Sequence, residues 1–337
     1  MSIRFTVAVL TGGNPRNFMT ASAIRSINLQ THSSIQPVFI NNGRSVNELK
    51  LIQKTFGSDS SLSNWEVIDM GTNTYDPKDL TSVWGKPGEI FLSKIKGDFV
   101  FIQNDDDFLD KEFFKLIDLK FTKYPEAITA FGQVFKWDWN INSVIQSDNN
   151  YYGRPELENG LDLFNKVYKD KNEGYIYNPG ISPVCKSEMV KSSGKHFFSG
   201  GLPDFPPLMQ IVPYGLTIFE KNARIFYGFH TGQQRRDWDK KNMMTGIYYK
   251  DLGKFANHNI AGAKKCGPIT RHHRKTIENF FRERKITYAL TSLIYLKANH
   301  RKIFSSKSQS IRVVGLHLIV VLRFPLVAMK IFHKIIK

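Results

Sequence analysis

Cysteine, carboxylates in the last quarter and long uncharged stretches are what this chain is short of. Only two cysteines occur in 337 residues, Cys185 and Cys266, without metal-type spacing. That excludes a disulfide scaffold and a zinc site, and it fits a reducing compartment. The opening residues Met1-Ser2-Ile3-Arg4-Phe5 lack the apolar core of a secretory signal, so chemistry is expected in the cytoplasm. Neither GxGxxG nor GxxxxGK[ST] is found, which leaves dehydrogenase and P-loop readings without support.

Acids are scarce where bases are dense. Of the formal charge of +17, residues Ile260 to Lys337 carry +15, from 17 Lys and Arg against Glu278 and Glu283 alone. Residues 1–259 are nearly neutral. A tail of this kind seeks polyanions, either nucleic acid or an anionic membrane surface. Its last stretch, Ser310 to Lys337, sharpens the choice. On a helical wheel Arg312, Arg323, Lys330, Lys334 and Lys337 fall within roughly 60° of arc, beside a broad apolar face. Arg323 interrupts the run of about 20 uncharged residues that a spanning helix needs. The pattern predicts a helix lying in the interface of an anionic membrane; a helix packed onto the rest of the protein is the alternative. No nucleic acid is expected, because the apolar face would stay wet and aromatic interleaving is absent.

One feature is concentrated rather than scarce. Asp105-Asp106-Asp107 stand just beyond the apolar run Phe99-Val100-Phe101-Ile102, which reads as a buried strand. Carboxylates stacked where a strand leaves its sheet repel one another unless something positive sits there. A divalent cation is the obvious partner: Mn²⁺ and Mg²⁺ take oxygen ligands, and Mg²⁺ often shares carboxylates with substrate phosphates. The bland alternative is a solvated acidic turn before a helix, with Asp110 as N-cap to Lys111-Glu112-Phe113-Phe114.

Strands and helices alternate ahead of that triplet. Phe5 to Leu10, Pro37 to Ile40 and Val67-Ile68 read as strands. Helices are predicted through Phe18 to Leu29, Asn47 to Phe56 and Ile90 to Ile95. This order implies an α/β fold with a mostly parallel sheet covered on both faces. Ligands of such sheets sit beyond the carboxyl ends of the strands. There the turn Thr11-Gly12-Gly13-Asn14, the turn Asn41-Asn42-Gly43 and the acid triplet would converge into a nucleotide-sized site. Farther on, Lys136-Trp137-Asp138-Trp139 offers a sugar an apolar ring face and a carboxylate for its hydroxyls, although two tryptophans in a strand also suit a core. Tyr151 to Tyr177, rich in Asn and Lys, reads as an insertion or mobile loop.

Several segments then match one family in order. The chain resembles the inverting family 2 glycosyltransferases of GT-A fold, which make bacterial surface polysaccharides such as O-antigen and capsule. The blocks are Leu10-Thr11-Gly12-Gly13-Asn14, Ser26-Ile27-Asn28-Leu29-Gln30-Thr31, Phe39-Ile40-Asn41-Asn42-Gly43-Arg44-Ser45 and Asn104-Asp105-Asp106-Asp107-Phe108. Gly200-Gly201-Leu202-Pro203-Asp204 and the strand Arg224 to His230 follow. The likeness spans roughly residues 4–235.

The resemblance implies a GT-A-like, Rossmann-type catalytic domain over 1–235. After it would come a basic helical extension over 236–309 and an amphipathic interface helix over 310–337. It further implies a nucleotide-sugar donor, a UDP-sugar before others, held by Thr11, Gly12, Asn14, Asn41, Asn42, Asn104, Asp105 and Asp106. The divalent metal, Mn²⁺ or Mg²⁺, would rest on Asp105, Asp107 and His230, with Asp106 and Asp107 as the other acid pairing. Asp204 would be the catalytic base, and Trp137 with Asp138 would meet a glycan or lipid-linked acceptor. The enzyme would sit on the inner face of the bacterial cytoplasmic membrane. Asn41, Asn42 and Asn104 stand where the family has acids, and Pro203 where it has Glu. Pro206-Pro207 could instead make Asp204 a capping residue, and His230 could be a buried hydrogen-bonding group. An inactive GT-A-like adaptor and a nucleotidyltransferase are the competing readings.

Overall fold

Alternation along the first strand explains why the sheet has two covered sides. In β1 (Phe5–Gly12), Phe5, Val7 and Val9 join one apolar layer and Ala8 the other, all fully buried. A strand hidden on both faces is what a parallel sheet between helical layers requires. The computed structural model describes residues 2–12, 17–74, 76, 84–147, 155–169, 183–200, 206–230 and 247–283. Asn14, Asp204 and everything from 284 onward, including Ser310–Lys337, lie outside the described residues.

β1 pairs in parallel with β2 (Ile35–Asn42) and β4 (Phe99–Asn104), and β2 pairs in parallel with β3 (Glu66–Asp69). The remaining strands are β5 (Phe108–Leu109), β6 (Ala127–Asp138), β7 (Ser143–Ser147), β8 (Leu157–Asn159), β9 (Val184–Lys186) and β10 (Leu216–Phe229). Together they make one sheet in the order β3-β2-β1-β4-β9-β6-β10-β5, with β7 on β6 and β8 on β10. β9 runs antiparallel to β4 and β6, and β6 returns to parallel pairing with β10.

One layer is built by α1 (Asn17–Asn28), α2 (Val46–Thr55) and α4 (Phe113–Lys123), through Ile24, Ile52, Phe114 and Ile117. The other uses α3 (Gly85–Leu92), α6 (Ser187–Ser193) and α7 (Lys195–Ser199), through Phe91, Val190, Phe197 and Phe198. A third cluster lies to the side. There α8 (Ile247–Cys266) and the helical residues 271–283 pack Leu252, Phe255, Ile277 and Phe281 on Phe164 and Met209. Phe164 belongs to α5 (Gly160–Lys169), and Met209 to the π-helical turn Pro207–Ile211.

Three local expectations need correcting. Residues 151–177 are not simply a loop, since β8 and α5 form within them. Leu161, Phe164 and Tyr168 give that stretch the helical spacing that its many Asn and Lys residues hide. α4 starts at Phe113 rather than Lys111 and has no side-chain cap. Asp110 instead accepts the Glu112 N–H at 3.1 Å, closing the preceding turn. α3 starts at Gly85, ahead of the expected Ile90, and stops at Leu92 rather than Ile95, because Pro87 can occupy the first turn of a helix. Among the described residues no helix is long and apolar enough to cross a membrane.

Candidate functional site

Register decides what meets at the carboxyl edge of the sheet. Gly12 pairs with Asn42, Thr11 with Asn41, Asn41 with Asp69, and Leu10 with Asn104. The turns after β1, β2 and β4 therefore open at one level, and the acid triplet sits among them.

All three acids are buried, with Asp105 8%, Asp106 7% and Asp107 2% exposed. A solvated acidic turn is excluded. Each carboxylate is held differently. The Arg44 guanidinium reaches Asp105 Oδ2 at 3.2 Å, and Thr11 and Thr20 donate to the same oxygen at 2.9 and 3.4 Å. Arg44 also bonds Thr11 Oγ1, Thr20 Oγ1 and Asn17 Oδ1, and its side chain is fully buried. Asp106 Oδ2 faces His230 Nε2 at 3.3 Å, and the Trp139 indole N–H donates to the Asp106 carbonyl at 2.9 Å. Asp107 accepts the Gly228 N–H at 2.8 Å and the Asn104 amide at 2.9 Å. Burial, followed by the charge of Asp106, holds the Asp107 carboxyl well above the usual range.

Local chemistry explains the placement of Arg44. Ser45 caps α2 in a reciprocal box: its hydroxyl accepts the Glu48 N–H, and Glu48 accepts the Ser45 N–H at 2.8 Å. The residue before the cap is thereby fixed. Asn41 tightens the turn further, accepting the Arg44 N–H at 2.9 Å and donating to the Arg44 carbonyl and to Asp69 at 3.0 Å. An acid at position 41 would repel Asp69 and could not donate to that carbonyl. Asn42 accepts from Thr74 N–H at 2.9 Å and hydroxyl at 3.1 Å, and donates to Asn73 at 3.3 Å. Both asparagines thus build the wall of the corner. Gly43 (φ 97°) permits their turn, and a Cβ there would run into Asn73.

On the other side, β10 delivers His230 directly after Phe229. Gly228 is required for this approach, because a Cβ would overlap the Asp106 carbonyl and the Trp139 indole. Beside it lies an aromatic cluster. Phe108 stacks on Phe226 at 4.7 Å, and the Trp137 and Trp139 rings lie 5.2 and 5.6 Å from Phe108. Trp137 is half-buried, and its Nε1 has no hydrogen-bond partner among the described residues. Asp138 uses Oδ1 to close a turn, accepting from Asn140 N–H at 2.7 Å.

The structure thus gathers Thr11, Asn41, Asn42, Asn104, Asp105, Asp106, Asp107 and His230 at one edge. Gly12 ends β1 there, with Trp137 and Asp138 at the adjacent end of β6. Sequence reasoning gave no role to Arg44, Thr20 or Gly228. Arg44 had a signal: it is the one permanently positive residue in the matched strand-end block, close to three acids that need compensation.

No family model and no curated protein sequence matches this chain. Solved structures do. S. aureus TarS 1-349 is 14% identical with a TM-score of 0.53, over 95% of this chain and 81% of that one. The same TarS 1-349 in complex with UDP-GlcNAc gives 13% identity and 0.54, over 95% and 82%. Against the longer S. aureus TarS the values are 16% and 0.55, and this chain spans about half (49%) of that protein.

The fold is GT-A-like.

The Asp106 carboxylate and the His230 imidazole present an oxygen and a nitrogen on one buried edge. Neither the imidazole facing Asp106 nor the amide and N–H on Asp107 carries a fixed charge. Among the described residues no group of three or more His, Cys, Asp or Glu could hold a metal. Asp106 and His230 are an oxygen and a nitrogen donor of the kind that Mn²⁺ takes alongside phosphate oxygens and water.

Proposed function

We propose that this protein is an inverting glycosyltransferase of family 2 type. It would move a sugar from a nucleoside diphosphate sugar, best a UDP-sugar, to a hydroxyl of a glycan or lipid-linked glycan in surface-polysaccharide synthesis. The observation that carries the reading is the buried acid triplet at the carboxyl edge of a GT-A-like sheet. One of its acids is neutralised by Arg44, and another faces His230. The TarS structure bound to UDP-GlcNAc supports a nucleotide sugar as donor.

Asp106 and His230 would hold Mn²⁺ or Mg²⁺, with Asp107 behind them. When bound, that ion supplies Lewis-acid stabilisation of the negative charge on the departing diphosphate. Asp105, fixed by Arg44, Thr11 and Thr20, shapes the donor side of the corner together with Asn104. The half-buried face of Trp137 gives the acceptor sugar an apolar platform beside Asp138. Asp204 takes the proton as the acceptor oxygen bonds the anomeric carbon and the bond to the diphosphate breaks. A general base of this kind contributes typically about 10²–10⁴-fold. The reading of a nucleotidyltransferase is weaker here, because that chemistry wants cations turned toward a triphosphate, whereas the Arg44 side chain is buried against Asp105.

The chain would act at the inner membrane face. Arg271, Arg274, Lys275 and Arg282 line one side of the 271–283 helix, and Ser310–Lys337 carries the cationic stripe. Flotation with vesicles containing anionic lipid should depend on Ser310–Lys337; equal flotation without that segment rejects the attachment.

The functional test is direct. Purified protein offered a panel of UDP-, GDP- and dTDP-sugars with Mn²⁺ should transfer or hydrolyse one of them. Asp204→Asn should keep metal-dependent nucleotide binding while losing at least about 10²-fold in turnover. Wild-type turnover by that variant removes Asp204 from its role, and no turnover of any donor by the native enzyme removes the function.

A further inference from the structure

Arg44 points a fixed positive charge into surroundings made of oxygen. Its side chain is fully buried, so each N–H needs an acceptor within the protein. Nε donates to Thr11 Oγ1, and Nη1 donates to Asn17 Oδ1 at 3.1 Å. Nη2 donates to Thr20 Oγ1 at 2.9 Å and to Asp105 Oδ2 at 3.2 Å. Glu48 Oε1 stands 4.0 Å from Nη1. The guanidinium is therefore ringed by two carboxylates, two hydroxyls and an amide carbonyl.

A hard divalent cation takes the same kind of surroundings, since Mg²⁺, Mn²⁺ and Ca²⁺ favour carboxylate, carbonyl and water oxygens. Thr11 and Thr20 are fully buried, so these oxygens are held in place by the fold. A guanidinium differs from a metal ion in two ways. It is tethered to the chain, and it keeps its charge at every physiological pH. No chelator can remove it and no ion has to be supplied.

We infer that Arg44 is a specificity-determining residue: its guanidinium fills the oxygen-lined pocket around Asp105, keeps a divalent ion out of it, and leaves the metal to the β10 side. The placement of the working metal at Asp106 and His230 rests on the proposed function; the pocket rests on the contacts above. The physical reason is competition. Stripped of Arg44, Asp105 would be a buried carboxylate deprived of its cation. It would draw a divalent ion to the β1–β2 side of the corner, away from His230.

Arg44→Ala opens the pocket and keeps its oxygens. Counted by Mn²⁺ paramagnetic resonance without nucleotide, the folded variant should bind one Mn²⁺ per chain more than the native protein. MnCl₂ should raise its melting temperature by on the order of 5 °C more than it raises the native one. Arg44→Lys, which keeps a cation, should take up no extra ion. Arg44→Ala with Asp105→Asn should lose the extra ion, because the carboxylate that anchors it is gone. Should Arg44→Ala be unfolded by itself, MnCl₂ should restore its native circular dichroism where NaCl of equal ionic strength does not. A folded Arg44→Ala that binds no more Mn²⁺ than the native protein overturns the inference. So does an unfolded one that MnCl₂ leaves unfolded, or an extra ion that persists in either control variant. A native protein that binds Mn²⁺ with no nucleotide sugar instead removes the functional reading, and the ion count in Arg44→Ala still decides what the pocket accepts.

Discussion

The two sides of the acidic corner hold their carboxylates by different means. On the β1–β2 side, Asp105 is closed off by a guanidinium and two hydroxyls, a set of permanent partners supplied by the protein itself. On the β10 side, the partners of Asp106 and Asp107 include an imidazole, an amide and a backbone N–H. Under the proposed function, an outside cation would have its place on the second side. Asp105 meets a fixed positive charge within the protein and serves as framework, whereas Asp107 is buried beside Asp106, which raises its carboxyl well above the usual range. A diphosphate-bound metal would ease the repulsion between these two carboxyls.

The contrast breaks most visibly at Arg44. Arg44→Met leaves Asp105 buried without its cation, a change that typically costs about 3–5 kcal/mol. Denaturant unfolding should show the loss, and a wild-type midpoint would mean that the ion pair carries no weight. Asp106→Asn should act with the opposite sign. A raised carboxyl such as Asp107 contributes stability at low pH that is lost as pH rises through its folded value. Removing the neighbouring charge reduces that loss, so the metal-free variant should melt above wild type at pH 8. The same variant, like His230→Ala, should weaken Mn²⁺-dependent nucleotide binding by at least about tenfold in calorimetry. If affinity is unchanged in both, the β10 side is not the metal side.

The smallest effect lies away from the corner, where His273 bonds the Met209 carbonyl at 2.9 Å through Nε2. Burial lowers the pKa of His273. A depressed histidine contributes stability above its ordinary pKa of about 6.5 that is lost as pH falls through the folded value. The melting temperature should drop on the order of 2 °C between pH 7.5 and 5.5, and His273→Phe should flatten that slope. An equal slope in the variant assigns the effect elsewhere.

Much of the frame was legible beforehand for a plain reason. β1, β2 and β4 are runs of Val, Ile, Phe and Ala bounded by Gly, Asn and Asp, and the alternation of strands with helices allows few topologies. Residues 151–177 misled because their polar composition masks the spacing of Leu161, Phe164 and Tyr168. The start of α4 misled because Asp110 could cap a helix or close a turn, and only the neighbouring backbone selects between them. The helices of the basic segment looked like an appendage by charge. Nothing local to Leu252, Phe255 or Ile277 reveals that their partners are Phe164 and Met209.

By itself the sequence determined the parallel frame, the convergence of three strand-end turns and the gathering of acids at one edge. Each depends on neighbours in the chain and on the period of apolar residues. Only tertiary structure decided that Arg44 closes on Asp105 and that Gly228 lets β10 reach the acid turn. The Arg44–Asp105 contact spans 61 residues, and the Gly228–Asp107 contact spans 121. Pairing at such separations is set by packing of the whole sheet and its layers, and no local pattern encodes it.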